Sequence, residues 1–130
     1  MEPKFTFQLD REHGLVRIVM QGFYDLEDVA VYFDARRQAH AELGLPRNQH
    51  ITLNDIRRMK IQQQDVVAAF QAGLAVPEEK ARKVAIVVDT SLARAQALRA
   101  VKDPTTRYFS DVAVAEAWLL EGEEGSALAA

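Results

Sequence analysis

RYFSDVAVAEAWLL, residues 107–120, reads as a short strand that runs through a polar cap into an apolar helix. Thr106 to Phe109 form the strand, Ser110 is placed to cap, and Val112, Ala115, Trp118 and Leu119 recur on one helical stripe. Upstream, Val84 to Val88 (VAIVV) is an apolar run with no polar face, the pattern of a strand buried on both sides at the centre of a sheet. Between these two strands, Asp89-Thr90-Ser91 supplies an amino-terminal cap for a helix expected over Leu92–Val101, and Asp103-Pro104 turns the chain. Strands alternating with helices in this way lie parallel, with the helices packed over the sheet.

Further upstream the period changes. Lys4 to Leu9 alternates, with Phe5, Phe7 and Leu9 on one side, and Leu15 to Gln21 is a second, more apolar strand across the Arg11–Gly14 turn. The pair predicts an antiparallel hairpin whose outer edge permits a dimer. Asp25 caps a helix predicted over Leu26–Leu43, with Glu27 and Asp28 in the first turn, where the helix dipole favours negative charge; Gly44 and Pro46 stop it. His50 to Asn54 predicts a third strand and Gln62 to Val76 a second helix, closed by Pro77. The order is β-β-α-β-α-β-α-β-α, an α/β single domain with a mixed β-sheet: an N-terminal antiparallel hairpin, then parallel strands, with about four helices. The domain is expected over residues 1–120, with 121–130 (EGEEGSALAA) as a flexible tail. That tail ends in Ala127-Leu128-Ala129-Ala130, which resembles the ending of bacterial tmRNA degradation tags.

At 130 residues the chain is large enough for one self-sufficient core. It has no cysteine, so thiol catalysis, cysteine-based metal sites and disulfides are excluded. The net charge of -3 lacks the basic field of non-specific nucleic-acid binding. No window approaches the ~20 apolar residues of a spanning helix and the amino terminus has no apolar leader core, so the expectation is a cytoplasmic protein.

Tyr108-Phe109, Ala115-x-x-Trp118-Leu119 and the Lys83–Val87 strand, in this order of elements over roughly residues 4–120, resemble the STAS superfamily. The resemblance is to the fold of the anti-sigma-factor antagonists, and more particularly to the bacterial SpoIIAA-like, or STAS/SEC14-like, group. It implies a bacterial domain used for binding. In the phospho-switched antagonists the helix after the third strand bears a phosphorylated Ser or Thr. Here Leu53 to Asp65 contains no hydroxyl residue, so the resemblance transfers no phosphoacceptor.

In parallel α/β sheets, ligands bind beyond the carboxyl ends of the strands. That rule selects Gly22-Phe23-Tyr24-Asp25, Asn54-Asp55 with Arg57, Arg58 and Lys60, Asp89-Thr90-Ser91, and Ser110-Asp111. Asp89, Thr90 and Ser91 suit a helix cap and, equally by type, an anion at a helix amino terminus. Asp55, Arg57 and Arg58 read as a charged recognition loop, or as a solvated loop whose charges pair locally. Tyr24, Tyr32, Phe23 and Phe33 gather around the first helix start and suit either core or an apolar pocket. His13, His40 and His50 show no metal-ligand spacing, and there is no Gly-x-Gly-x-x-Gly, no Walker lysine loop and no Gly-x-Ser-x-Gly elbow. No catalytic residue, metal or cofactor is therefore implied. The expected function is a non-enzymatic STAS-like regulatory or interaction domain whose partner is a protein or a second copy. The alternative is a carrier or sensor of a small apolar or amphipathic, lipid-like ligand held near Tyr24, Tyr32 and Asp89.

Overall fold

Strand β1 (Phe5–Asp10) pairs antiparallel with β2 (Leu15–Gly22), bringing Phe5 opposite Met20 and Asp10 opposite Leu15. The computed structural model of the chain describes residues 3–89 and 104–121. From β2 the sheet continues in parallel through β3 (Ile51–Met59), β4 (Lys83–Val87) and β5 (Thr106–Phe109). The spatial order is the chain order, β1-β2-β3-β4-β5, so β1 and β5 form the two edges. Helix α1 (Leu26–Leu43) links β2 to β3, α2 (Gln64–Leu74) and a 3-10 turn (Pro77–Glu79) link β3 to β4, and α3 (Val112–Leu120) follows β5.

The alternation of side chains along each strand creates two cores on opposite faces. On one face Val16, Ile18 and Met20 of β2 meet Val29, Tyr32 and Phe33 of α1 and Val66 and Phe70 of α2. Phe5, Phe7 and Leu9 of β1 close that core from the side. On the other face Leu15, Ile51, Leu53, Ala85 and Val87 meet Ala115 and Leu119 of α3. Ala85 to Val88 of VAIVV are buried and Val84 is half-buried, but the strand lies next to the β5 edge, and β3 takes the centre of the sheet that was expected for it. Helix α3 lies against β3, β4 and β5. Arg17 of β2 reaches across to Glu116 of α3 and to Asp10 at 3.6 Å, tying the hairpin to that helix.

Three further expectations change. Three α-helices are present among the described residues; the fourth, predicted over Leu92–Val101, lies outside them, as do Thr90, Ser91 and the tail from residue 122. Strand β3 does not stop at Asn54 but runs to Met59, because its far end keeps pairing with Gln21 and Gly22 of β2 after β4 has ended at Val87. Between Val19↔Asp55 and Gln21↔Arg58 the register slips, with three residue steps on β3 against two on β2, a β-bulge. Finally, the cap of α3 is Asp111, whose carboxylate accepts from the Val114 N–H at 3.0 Å; Ser110 lies one residue too early.

Candidate functional site

With strands in sequential order, the exits of β2, β3, β4 and β5 follow one another along a single rim of the sheet. Gly22 leaves β2 in the left-handed region at φ +78°, which a residue without Cβ adopts cheaply, and its carbonyl accepts from the Lys60 N–H at 3.2 Å. The adjoining joint is held by Gln62. Its Oε1 accepts from the Tyr24 N–H at 2.9 Å, and its Nε2 donates to the Gly22 and Lys60 carbonyls at 3.0 and 2.6 Å. Gln62 is buried, and nothing in the sequence singled it out; the first of three consecutive glutamines between Ile61 and a helix carries no period or motif that sets it apart from the other two.

The aromatic residues divide between core and rim. Tyr32 is fully buried among Phe5, Phe7, Phe33 and Phe70, with ring centroids 5.0–5.8 Å away, and burial pushes its phenol up to about 12. Tyr24 is buried against Phe70, and its hydroxyl donates to the Lys4 carbonyl at 2.7 Å. Burial raises the Tyr24 phenol as well. The expected pocket lined by Tyr24, Tyr32, Phe23 and Phe33 is therefore corrected: α1 turns Tyr32 and Phe33 into the core, and Phe23 is left 64% exposed. A cleft of about 510 Å³ does open beside Tyr24, between Phe23, Leu26, Gln63 and Val66, with Asp25, Glu27 and Asp65 on its walls. Asp25 doubles as the α1 cap in a capping box with Asp28.

The charged cluster also differs from a loop. Asp55, Arg57 and Arg58 lie on the extended strand β3, where Arg57 chelates the Asp55 carboxylate through Nε at 2.9 Å and Nη2 at 2.8 Å, with its own N–H at 3.1 Å. Burial by itself would raise the Asp55 carboxyl, but the hydrogen bonds from Arg57 and the charges of Arg57 and Arg58 outweigh it and hold the group below the usual carboxylate range. Asp55 in turn raises Arg57, and Asp111 and Asp89 add to the negative field there. Arg57 is thus chelated by Asp55 and lies within the negative field of Asp89 and Asp111 at the exits of β4 and β5. Asn54 does not join them. It points to the opposite face between Ile18 and Ile86, where its Oδ1 is buried without a hydrogen-bond partner among the described residues.

All three histidines lie at the other end of the sheet: His13 in the β1–β2 turn, His50 just before β3, and His40 in ring contact with His50. The rim therefore offers carboxylates, guanidinium groups, amides and exposed apolar surface, and it lacks an imidazole for proton transfer. No described helix is long and apolar enough to cross a membrane.

No family model and no curated protein matches the sequence. Among solved structures, a protein of Shewanella loihica PV-4, described as an uncharacterized member of the DUF3478 family with a SpoIIAA-like fold, superposes with a TM-score of 0.65. The match covers 88% of this chain and 93% of that one at 20% sequence identity. The chain has a SpoIIAA-like fold. Likeness at this identity speaks to architecture, since function lives in sites carried on a fold. In this SpoIIAA-like domain α2 begins at Gln63-Gln64-Asp65 with no side-chain cap, and no hydroxyl residue lies anywhere from Leu53 to Asp65.

Proposed function

We propose that the chain is a non-enzymatic, STAS-like interaction domain that docks a protein partner on the rim formed by the exits of β2 to β5. The observation that supports this reading is the pairing, on one rim, of solvent-facing apolar side chains with a pre-set charged group. Phe23, Leu26 and Ile61 are 64%, 53% and 53% exposed, and Arg57, chelated by Asp55, lies at the same end of the sheet. Exposed aromatic and aliphatic anchors with an ordered arginine are what protein interfaces concentrate. Asp25, Asp65, Asp89 and Asp111 make the surrounding field acidic, which favours a partner segment that is apolar and basic.

Two variants test it in a pull-down from a lysate of the source cell: Phe23→Asp, and Arg57→Glu combined with Arg58→Glu. Each is expected to lose a partner that the parent chain retains, with little change in melting temperature. Retention by both variants removes the rim as the docking surface.

A second reading, a carrier of a small amphipathic ligand, is supported by the cleft of about 510 Å³ beside Tyr24, which is within the usual size of small-molecule sites. Its acidic walls favour a cationic head group. Native mass spectrometry of the untagged protein against its denatured mass separates the readings: bound mass that is lost on denaturation supports the carrier, and a bare protein supports the interaction domain.

A further inference from the structure

His40, in the last turn of α1, and His50, just before β3, lie against each other with ring centroids 4.1 Å apart and the ring planes tilted at 44°. They sit at the amino-terminal ends of the parallel strands, away from the proposed docking rim. The Nε2 atoms of both rings are buried and have no hydrogen-bond partner among the described residues. His40 Nδ1 lies 3.3 Å from Glu79 Oε1, so the proton of the neutral ring belongs on Nδ1 and Nε2 carries the bare lone pair. The surrounding seam is tight. Arg36, itself buried, donates to the Glu79 carbonyl at 3.1 Å, and the Arg82 N–H donates to the His50 carbonyl at 2.8 Å. An open cleft of about 500 Å³ adjoins the pair.

A proton arriving at either Nε2 meets no acceptor in the closed seam, and it creates a cation beside a second imidazole and the Arg36 guanidinium. Of the charged groups around the pair, α1 presents Arg36 and Arg37, the segment before β3 presents Arg47, and the 3-10 turn presents Glu78 and Glu79. Arg82, at the approach to β4, is turned to the Gln49 carbonyl. The carboxylate nearest the rings, Glu79, is set against burial and a buried arginine. We propose that this histidine pair is a proton-operated latch: it keeps the end of α1, the start of β3 and the Pro77–Glu79 turn packed together while both rings are neutral, and releases that seam when acid protonates either ring.

The direction follows from burial first in both rings, then from the Arg36 charge at His40 and from the His40 ring followed by Arg36 at His50, where Glu79 opposes; together they pull both imidazoles down to about 4, against about 6.5 for an ordinary histidine. The closed form binds fewer protons than the opened form. The latch therefore contributes fully above about pH 6.5 and is lost progressively as the pH falls towards 4.

Amide hydrogen exchange of the full chain at about pH 7.5 and about pH 5, corrected for intrinsic rates, tests the proposal. Protection across residues 36–50 and 77–82 is expected to fall by roughly tenfold or more at the lower pH, as the two titrations require. Protection of α3 and the fluorescence of Trp118, which packs on the opposite face, are expected to stay unchanged. A variant carrying His40→Leu and His50→Leu should show no such acid step. Equal protection of the seam at both pH values, or an acid step that persists in that variant, overturns the latch. Should the variant not fold, the imidazole proton resonances of the parent chain decide: titration of His40 and His50 well below that of His13, which Asp10 pushes up, supports the latch, and titration of all three near or above 6.5 overturns it.

Discussion

Gln62 and Arg57 show two ways in which a polar side chain serves the rim. Gln62 is buried, and its amide joins the exits of β2 and β3 through three hydrogen bonds to backbone, so truncation removes the acceptor of the Tyr24 N–H and the amide donor to the Lys60 carbonyl, while the Gly22 carbonyl keeps the Lys60 N–H. Gln62→Ala is expected to cost about 1–3 kcal/mol in urea unfolding, and Gln62→Met, which restores the volume but not the amide, is expected to recover little of it. Equal stability of Gln62→Met and the parent would show that the residue acts through packing. Arg57 is the opposite case. Its pair with Asp55 is 43% exposed on the arginine side, where water screens the charges, so Arg57→Ala should change stability by no more than about 1 kcal/mol while weakening partner retention. A loss of several kcal/mol would instead make the chelate a structural element. Sequence reasoning named Asp55, Arg57 and Asp89 because residue type and position after a strand are local properties. It passed over Gln62 because the groups that Gln62 satisfies lie up to 40 positions away.

At the scale of elements, Gly73 decides how closely the two crossover helices approach. A Cβ at this position would stand 2.3 Å from the Phe33 ring of α1, so the helices pack with that ring against bare backbone. The helix propensity gained by Gly73→Ala, about 1 kcal/mol, is smaller than the overpacking it forces, and the variant is expected to lose about 1–3 kcal/mol. Adding Phe33→Leu should return part of that loss, giving a non-additive cycle in thermal unfolding; strict additivity would place the strain elsewhere. The cap of α3 makes a second comparison. Asp111→Ala is expected to cost about 0.5–2 kcal/mol, and Ser110→Ala close to nothing, because only Asp111 receives the Val114 N–H. The reverse ranking would restore the cap to Ser110. Both residues suit a cap by type, and a one-residue shift at a helix start is below what pattern alone resolves.

For the whole molecule, one sheet is shared by two separately packed cores. Trp118, the only tryptophan in the chain, reports the α3 side, whereas Tyr24 and Tyr32 belong to the α1–α2 side. Because Leu15 and Val16, or Ala85 and Ile86, alternate between the two faces of the same strands, neither layer can melt without disturbing the other. At neutral pH the tryptophan fluorescence and the near-ultraviolet tyrosine signal should therefore unfold in one coincident transition. Separated midpoints would show that the layers are independent units.

What the sequence determined by itself was local in its physics. The period of two in Phe5–Leu9, the unbroken apolar run of VAIVV, the cap at Asp25 and the left-handed stop at Gly44 each act over a few residues, and each forms the local element that its pattern predicted. They were enough to imply the mixed α/β sheet, and the SpoIIAA-like architecture came in as a resemblance carried by Tyr108-Phe109, Ala115-x-x-Trp118-Leu119 and the Lys83–Val87 strand. Tertiary structure alone decided the strand order that lines up four exits on one rim, the extension of β3 through its bulge to Met59, and the separation of Asn54 from Asp55 onto opposite faces. It alone made Tyr32 core and left Phe23 in solvent, and it brought His40 against His50 beside Glu79. Those outcomes depend on which distant surfaces exclude water from one another, and no stretch of neighbouring residues encodes that on its own.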